Sequence, residues 1–158
     1  MKFYLAAIYQ RREELQGYMR RLEAAGHEVT SRWLKEDFDD TDWYNQAFVD
    51  CCDIAMCDLF IVFTEDKGYV GRGGKDFETG LAMGMAKPLL LIGPVQHQFY
   101  SLLESNTPDF DTFMEQLLNG NIVVVSADIA LIGDTAFIDP MSPKTGQWSM
   151  DDWFDGAK

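Results

Sequence analysis

The sequence predicts an α/β fold, a doubly wound five-stranded parallel sheet with helices on both faces. Three observations carry that expectation. Strand-length apolar runs alternate with helix-length amphipathic segments from Met1 to Val125, the order expected of βαβ units. The run Leu59–Phe63 is apolar at every position, as befits a parallel strand covered on both faces. A glycine-rich turn, Gly71-Arg72-Gly73-Gly74, then leads into a helix of small residues. Such a turn lets backbone N–H groups approach a ligand closely.

Lys2–Ile8 reads as the first strand. Arg11–Ala25 spaces Leu15, Tyr18, Met19, Leu22 and Ala25 along one helical face, and Gly26 ends that helix. Glu28–Ser31 is a short second strand and Lys35–Asp42 an acidic loop. Thr41–Met56 is a second helix, with Ala47, Phe48, Cys51 and Ile54 facing inward. Leu59–Phe63 is the third strand, Thr64–Gly74 a loop with functional character, Lys75–Ala86 the third helix and Leu89–Ile92 the fourth strand. Thr107-Pro108-Asp109 starts a fourth helix, with Thr107 as N-cap and proline in the first turn. That helix runs to about Asn119, and Ile122–Val125 is the fifth strand. The topology is flavodoxin-like and Rossmann-like, and ligands in such sheets bind at the carboxyl ends of the strands near the switch point. The loops after Ile8 and Phe63 belong there, which brings Tyr4, Tyr9 and Glu78 towards one another.

Residues 1–125 form this domain, and residues 126–158 a C-terminal extension without clear period, rich in Asp, Gly and Pro. The extension carries Trp148, Trp153 and Phe154. Large aromatics are costly to leave in water, so it is expected to pack on its own domain or on a neighbouring subunit.

A chain of 158 residues with 47% hydrophobic content can bury a real core. Its net charge of −13 argues against a protein that grips duplex DNA or RNA through phosphates. Small anionic ligands remain open, because one local arginine and a helix end can hold them. No apolar run approaches the about 20 residues of a membrane helix, and no signal peptide is visible. The three cysteines, Cys51, Cys52 and Cys57, fall within one helix, where pairing is geometrically disfavoured. They are expected to be buried free thiols, which suits a reducing cytoplasm. A zinc site wants two separated ligand pairs, and only His27 and His97 are available, so no metal is expected.

Glu78 is the acidic residue just inside the helix after the glycine turn. The positive helix end favours its charged form, so it is expected to be ionised. An ionised carboxylate facing a pocket is a candidate nucleophile.

Four stretches together resemble the nucleoside 2-deoxyribosyltransferase family and the related nucleoside 5′-monophosphate N-glycosidases. They are Phe3-Tyr4-Leu5-Ala6-Ala7, Asp50 eight residues before Asp58, Gly73-Gly74-Lys75-Asp76-Phe77-Glu78-Thr79-Gly80, and Lys87-Pro88-Leu89-Leu90-Leu91-Ile92-Gly93-Pro94. The resemblance covers roughly Met1–Val125 and implies a nucleophilic Glu78 that attacks C1′ of a sugar and displaces the base. It implies that Tyr4 orients Glu78 by a hydrogen bond. Asp50 matches the aspartate that contacts the sugar hydroxyls or the leaving base, with Asp53 as a rival one turn along and Asp58 a weaker candidate that caps the strand. Ala6, Ala7, Tyr9, Gly73 and Gly74 fall among the expected substrate contacts.

The sequence departs from the family at one informative place. Transferases acting on free nucleosides carry an aspartate six residues before the nucleophile, and the monophosphate hydrolases carry a phosphate-binding serine in the corresponding place. Arg72 stands there in this chain. An arginine serves a phosphate through a bidentate pair, so a 5′-phosphorylated or otherwise anionic nucleoside is the expected substrate. Arg11 and Arg12 are further phosphate candidates. His97 is a candidate acid for the leaving base. Trp33 is open to stacking on a base or to packing.

The resemblance also implies a homo-oligomer in which a neighbour completes each pocket, with Gln96-His97-Gln98-Phe99-Tyr100 as the contribution. No metal or organic cofactor is expected, since neither step transfers electrons. Transfer and hydrolysis differ only in whether a base or water takes the sugar. Other readings are a nucleotide sensor in which Glu78 is structural, and a phosphoribohydrolase of the cytokinin-activating type. The latter ranks lower because its Pro-Gly-Gly-x-Gly-Thr turn is absent.

Overall fold

The computed structural model describes residues 1–35, 43–65, 73–96, 98–103, 105–125 and 128–131. Four helices and seven strands are found among them, together with short 3₁₀ turns. Strand β1 (Lys2–Ala6) leads through a 3₁₀ turn, Tyr9–Arg11, into helix α1 (Arg12–Ala24). Strand β2 (Glu28–Val29) and helix α2 (Trp43–Met56) follow, then strand β3 (Leu59–Phe63) and helix α3 (Gly74–Gly84). Strands β4 (Leu89–Ile92) and β5 (Asn106–Thr107) precede helix α4 (Phe110–Leu118), and strands β6 (Ile122–Val125) and β7 (Asp128–Leu131) close the described chain.

Five strands form one parallel sheet in the order β2-β1-β3-β4-β5. The chain leaves β1 towards β2 on one side and returns as β3 on the other. The switch point therefore lies between the carboxyl ends of β1 and β3, at Ala6 and Phe63. One expected element is corrected here. Ile122–Val125 is not the fifth strand of the sheet but pairs antiparallel with β7, and the fifth strand is the two-residue Asn106–Thr107. A run of β-branched residues carries strand propensity but no information about its partner.

The sheet's two faces differ in chemistry. Phe3, Leu59, Ile61 and Phe63 point to the side of α1 and α4, where Tyr18 stacks on Phe110 at 4.0 Å and Phe3 meets Phe113 edge-on at 6.0 Å. Tyr4, Phe60 and Val62 point to the side of α2 and α3, and Tyr4 stacks on its cross-strand neighbour Phe60 at 5.2 Å.

The helix ends follow local chemistry. Gly26 takes φ 84°, and the N–H groups of Gly26 and His27 bond back to Glu23 and Leu22, closing α1. Helix α4 is capped by Asp109, whose carboxylate accepts from the Thr112 N–H at 2.7 Å, and not by the expected Thr107, which belongs to β5. Asp109 is the residue whose short side chain reaches the third N–H of this helix.

Helix α2 is rotated from its expected face. Ile54 is buried, but Phe48 is 62% exposed and Ala47 is exposed. Asp53 is fully buried, and Gln46 and Asp50 are half-buried instead. The inward face of α2 is mixed: Ile54 joins the core, while Asp53 beside it is matched by Arg32. Cys57 is buried and Cys51 and Cys52 are only half-buried; all three are free thiols.

Candidate active site

Helix α3 starts where the chain turns at Gly73, which takes φ 83°. A Cβ there would meet nothing within 4 Å. The backbone angle, not space, asks for glycine. Glu78 is the fifth residue of the helix and half-buried. From there its carboxyl reaches the α2 side of the sheet, near the middle of β1.

Tyr4 rises from β1 with no exposed surface. Its hydroxyl faces the carboxyls of Glu78 and Asp50, and burial and those two charges hold its pKa well above the usual phenol value. The influence is mutual, since the hydroxyl pulls both carboxyl pKa values down. The hydroxyl lies where it hydrogen-bonds the charged form of either carboxyl, but the geometry is open in the free protein. Among the described residues neither Tyr4 Oη nor Asp50 Oδ1, both buried, has a hydrogen-bond partner. Each such atom costs about 1–3 kcal/mol. Native folds keep them where water or a ligand completes the set.

The protonation state of Glu78 corrects the sequence expectation. Its pKa is pushed up to about 8, first by burial and then by the Asp50 charge, with Tyr4 opposing. Helix-end stabilisation fades beyond the first turn, and Glu78 lies past it. Desolvation therefore wins, and the carboxyl is largely neutral at pH 7 in the free protein. Asp50 is pushed up to about 6 by burial and by Asp53, with Tyr4 and Arg32 opposing.

The rival Asp53 is occupied. It accepts from Arg32 Nε at 2.8 Å and from the Arg32 backbone N–H at 2.9 Å, and Arg32 Nη2 lies at 2.8 Å. Asp58 accepts from the Lys2 N–H at 2.7 Å and caps β1. Arg11 is held by Glu14 at 2.7 and 2.8 Å and by the Thr64 carbonyl at 3.2 Å. Arg12 donates to the carbonyls of Trp33 and Lys35. Both guanidiniums are thus engaged in tying loops to α1. Trp33 is buried, with its indole N–H on the Leu5 carbonyl at 3.1 Å, so it packs and does not face a ligand.

Ala6 is buried at the switch point and Ala7 is half-buried just beyond it. Tyr9 is 55% exposed in the 3₁₀ turn that follows β1. Gly74 is exposed in the first turn of α3. Arg72 and His97 lie outside the described residues.

Sequence reasoning missed two features of this edge. Gly93 takes φ 111°, and a Cβ there would sit 2.7 Å from Thr64 Oγ1 and 2.8 Å from its carbonyl oxygen. Thr64 in turn donates to the Pro94 carbonyl at 2.7 Å. The Ile-Gly-Pro sequence after β4 was the available signal. The second feature is a buried ion pair, Lys75 Nζ to Glu65 Oε2 at 2.7 Å. These residues are ten apart across the glycine turn, so no local spacing announces them.

No family model and no curated protein matches the chain. Solved structures do. A CMP N-glycosidase of Clostridium botulinum is 24% identical over 75% of this chain and 99% of its own, with a TM-score of 0.51. A 2-deoxyribosyltransferase of Bacillus psychrosaccharolyticus is 20% identical over 72% of this chain and 90% of its own, with a TM-score of 0.54. The 2-deoxyribosyltransferase of Leishmania mexicana is 15% identical over 75% and 95%, with a TM-score of 0.53. This chain shares the fold of those enzymes, a five-stranded parallel sheet with its helices on both faces.

Proposed function

We propose that this protein is a member of the nucleoside 2-deoxyribosyltransferase family, and that it cleaves or exchanges the N-glycosidic bond of a (2-deoxy)nucleoside or nucleoside 5′-monophosphate. The observation that carries the reading is the convergence of Glu78, Tyr4 and Asp50, with unsatisfied buried oxygens, beside the switch point of the sheet. The fold shared with an N-glycosidase and two deoxyribosyltransferases supports it.

In this reading Glu78, once deprotonated, attacks C1′ through one carboxylate oxygen. The C1′–N bond breaks, its electron pair leaves with the base, and a glycosyl ester forms on Glu78. Water or a second base then attacks C1′, and the carboxylate is released. The transition state carries positive charge on the sugar, which a fixed anion beside C1′ stabilises. The ionised fraction of Glu78, which grows as pH rises towards about 8, is the form that attacks. Tyr4 steers the carboxylate, and Asp50 Oδ1 takes a hydroxyl of the sugar. Arg72 takes an anionic substituent, and His97 the leaving base.

The protein is proposed to work in the cytoplasm as a homo-oligomer. Tyr44, Phe48 and Met56 on α2 and Phe77 on α3 leave apolar surface exposed, and no helix among the described residues is long and apolar enough to cross a membrane.

The test is incubation with a panel of nucleosides and their 5′-monophosphates, with and without an acceptor base, followed by chromatography. Free base without acceptor means hydrolysis, and a new nucleoside only with acceptor means transfer. Absence of both across the panel removes the reading. Faster turnover of unphosphorylated nucleosides removes the role of Arg72.

A further inference from the structure

A second polar cluster sits at the same carboxyl edge, and the chemistry above does not use it. Glu65 lies just beyond β3, Lys75 in the first turn of α3, Arg11 after β1 and Tyr100 after β4. The side chains of Lys75 and Glu65 are only 8% and 9% exposed. Lys75 Nζ donates to Glu65 Oε2 at 2.7 Å and lies 5.9 Å from the centre of the Tyr100 ring. Arg11 Nη1 approaches Glu65 Oε1 to 3.7 Å, too far for a hydrogen bond. Among the described residues, Oε1 is buried with no hydrogen-bond partner.

The capacity left over is specific. An ammonium carries three donors, and among the described residues Lys75 has one hydrogen bond, to Glu65. A carboxylate oxygen beside it accepts none. An ion pair that merely tied the two ends of the glycine turn would gain by saturating both groups, since a buried unpaired acceptor is destabilising. Here one acceptor and spare donors stand side by side, under the edge where this class of sheet binds ligands.

We propose that Glu65 and Lys75 form a recognition pair for a ligand edge that presents a hydrogen-bond donor beside an acceptor. Glu65 Oε1 accepts from the ligand and Lys75 Nζ donates to it. Two parts of a nucleoside offer that chemistry, the amino-and-ring-nitrogen edge of a base and the paired hydroxyls of a ribose. The choice of ligands rests on the proposed function; the existence of the pair does not.

The test is equilibrium binding by calorimetry, with Glu78→Gln as the background so that no turnover intervenes. The ligands are cytidine against its analogue lacking the amino group, adenosine against purine riboside, and each ribonucleoside against its 2′-deoxy form, so that each comparison removes one donor. The background protein is expected to prefer the amino base or the ribose by about tenfold or more. Adding Glu65→Gln, which replaces an acceptor oxygen with a donor on half of its orientations, should shrink that preference to within about twofold. Loss of the preference for the amino base assigns the pair to the base, and loss of ribose preference assigns it to the sugar. Equal weakening of every ligand, unchanged ratios, or no binding by the folded protein overturns the proposal. Glu65→Asp keeps the charge but withdraws the oxygen; should the glutamine variant fail to fold, it must lower the same ratio. Discrimination that collapses in a protein showing no cleavage of any nucleoside would retain the pair and remove the proposed reaction.

Discussion

One turn of α2 separates Asp53 from Asp50, and their surroundings are opposite. Asp53 is fully buried, and Arg32 answers both of its oxygens with three contacts at 2.8 to 2.9 Å. Asp50 is half-buried, faces Tyr4 and Glu78, and has one oxygen without a partner among the described residues. The first arrangement is what a fold needs, a buried charge matched by a fixed opposite charge. The second is what a fold avoids unless something else completes it. Three titratable groups, Tyr4, Asp50 and Glu78, are held together there with their pKa values raised. Such clustering is characteristic of sites where protons and charge must move.

Replacing Glu78 attacks the unsatisfied side of this contrast. Glu78→Ala is expected to lower kcat/KM by about 10³-fold or more while the fold is retained, because the proposed reaction forms its intermediate on that carboxylate. Unchanged turnover would remove Glu78 from the chemistry.

Removing Arg32 attacks the satisfied side. Arg32→Met leaves Asp53 buried and unmatched, and unfolding in urea should show a loss of about 2–3 kcal/mol. That lies below the full value for a broken buried pair because the arginine is itself 45% exposed and screened by water. A further consequence separates the two roles. Arg32 lowers the Asp50 pKa, so the same variant should move the Asp50-dependent limb of any pH profile upward, which lost packing alone would not do.

The pH dependence of stability sharpens the contrast next. Glu78 has a folded pKa of about 8, above its ordinary value, so the folded state binds more protons than the unfolded one between those values. Its contribution is therefore complete at acid pH and is lost as pH rises from about 4.5 to about 8. Glu78→Gln should flatten that decline, with a gain on the order of 4 kcal/mol at pH 8. Thermal melts from pH 5 to 8.5 measure it, and an equally steep decline in the variant contradicts the assignment. In the proposed reaction the nucleophile must be ionised, so the free-protein kcat/KM should in turn rise with pH towards about 8.

The smallest effect lies away from both carboxylates. Ala86 closes α3 with φ 52°, a left-handed angle that suits glycine. Ala86→Gly is expected to stabilise the protein by about 0.5–1 kcal/mol without changing turnover.

Much of the frame was legible in the sequence. The apolar run Leu59–Phe63, the face carrying Leu15 and Leu22, and Gly26 each announce a local structure whose cause is local. Legibility failed where a partner comes from far along the chain. The face of α2 was misread because Phe48 looks like core, while the inward position of Asp53 depends on Arg32, which is 21 residues away. Strand β6 was misassigned because propensity does not name a neighbour. For the candidate site, the glycine turn pointed to Glu78 and the family resemblance to Tyr4 and Asp50, but neither carried their protonation.

By itself the sequence determined the alternation of elements, the glycine turn before Glu78 and the acidic, aromatic composition of the chain, because periodicity, φ preference and charge are properties of neighbouring residues. The tertiary structure alone decided that Asp53 is neutralised and Asp50 is not, that Glu78 is held near a pKa of 8, and that Lys75 meets Glu65 across the turn. Desolvation and charge pairing are set by distance in space, and a linear chain does not carry that distance until the sheet has closed over it.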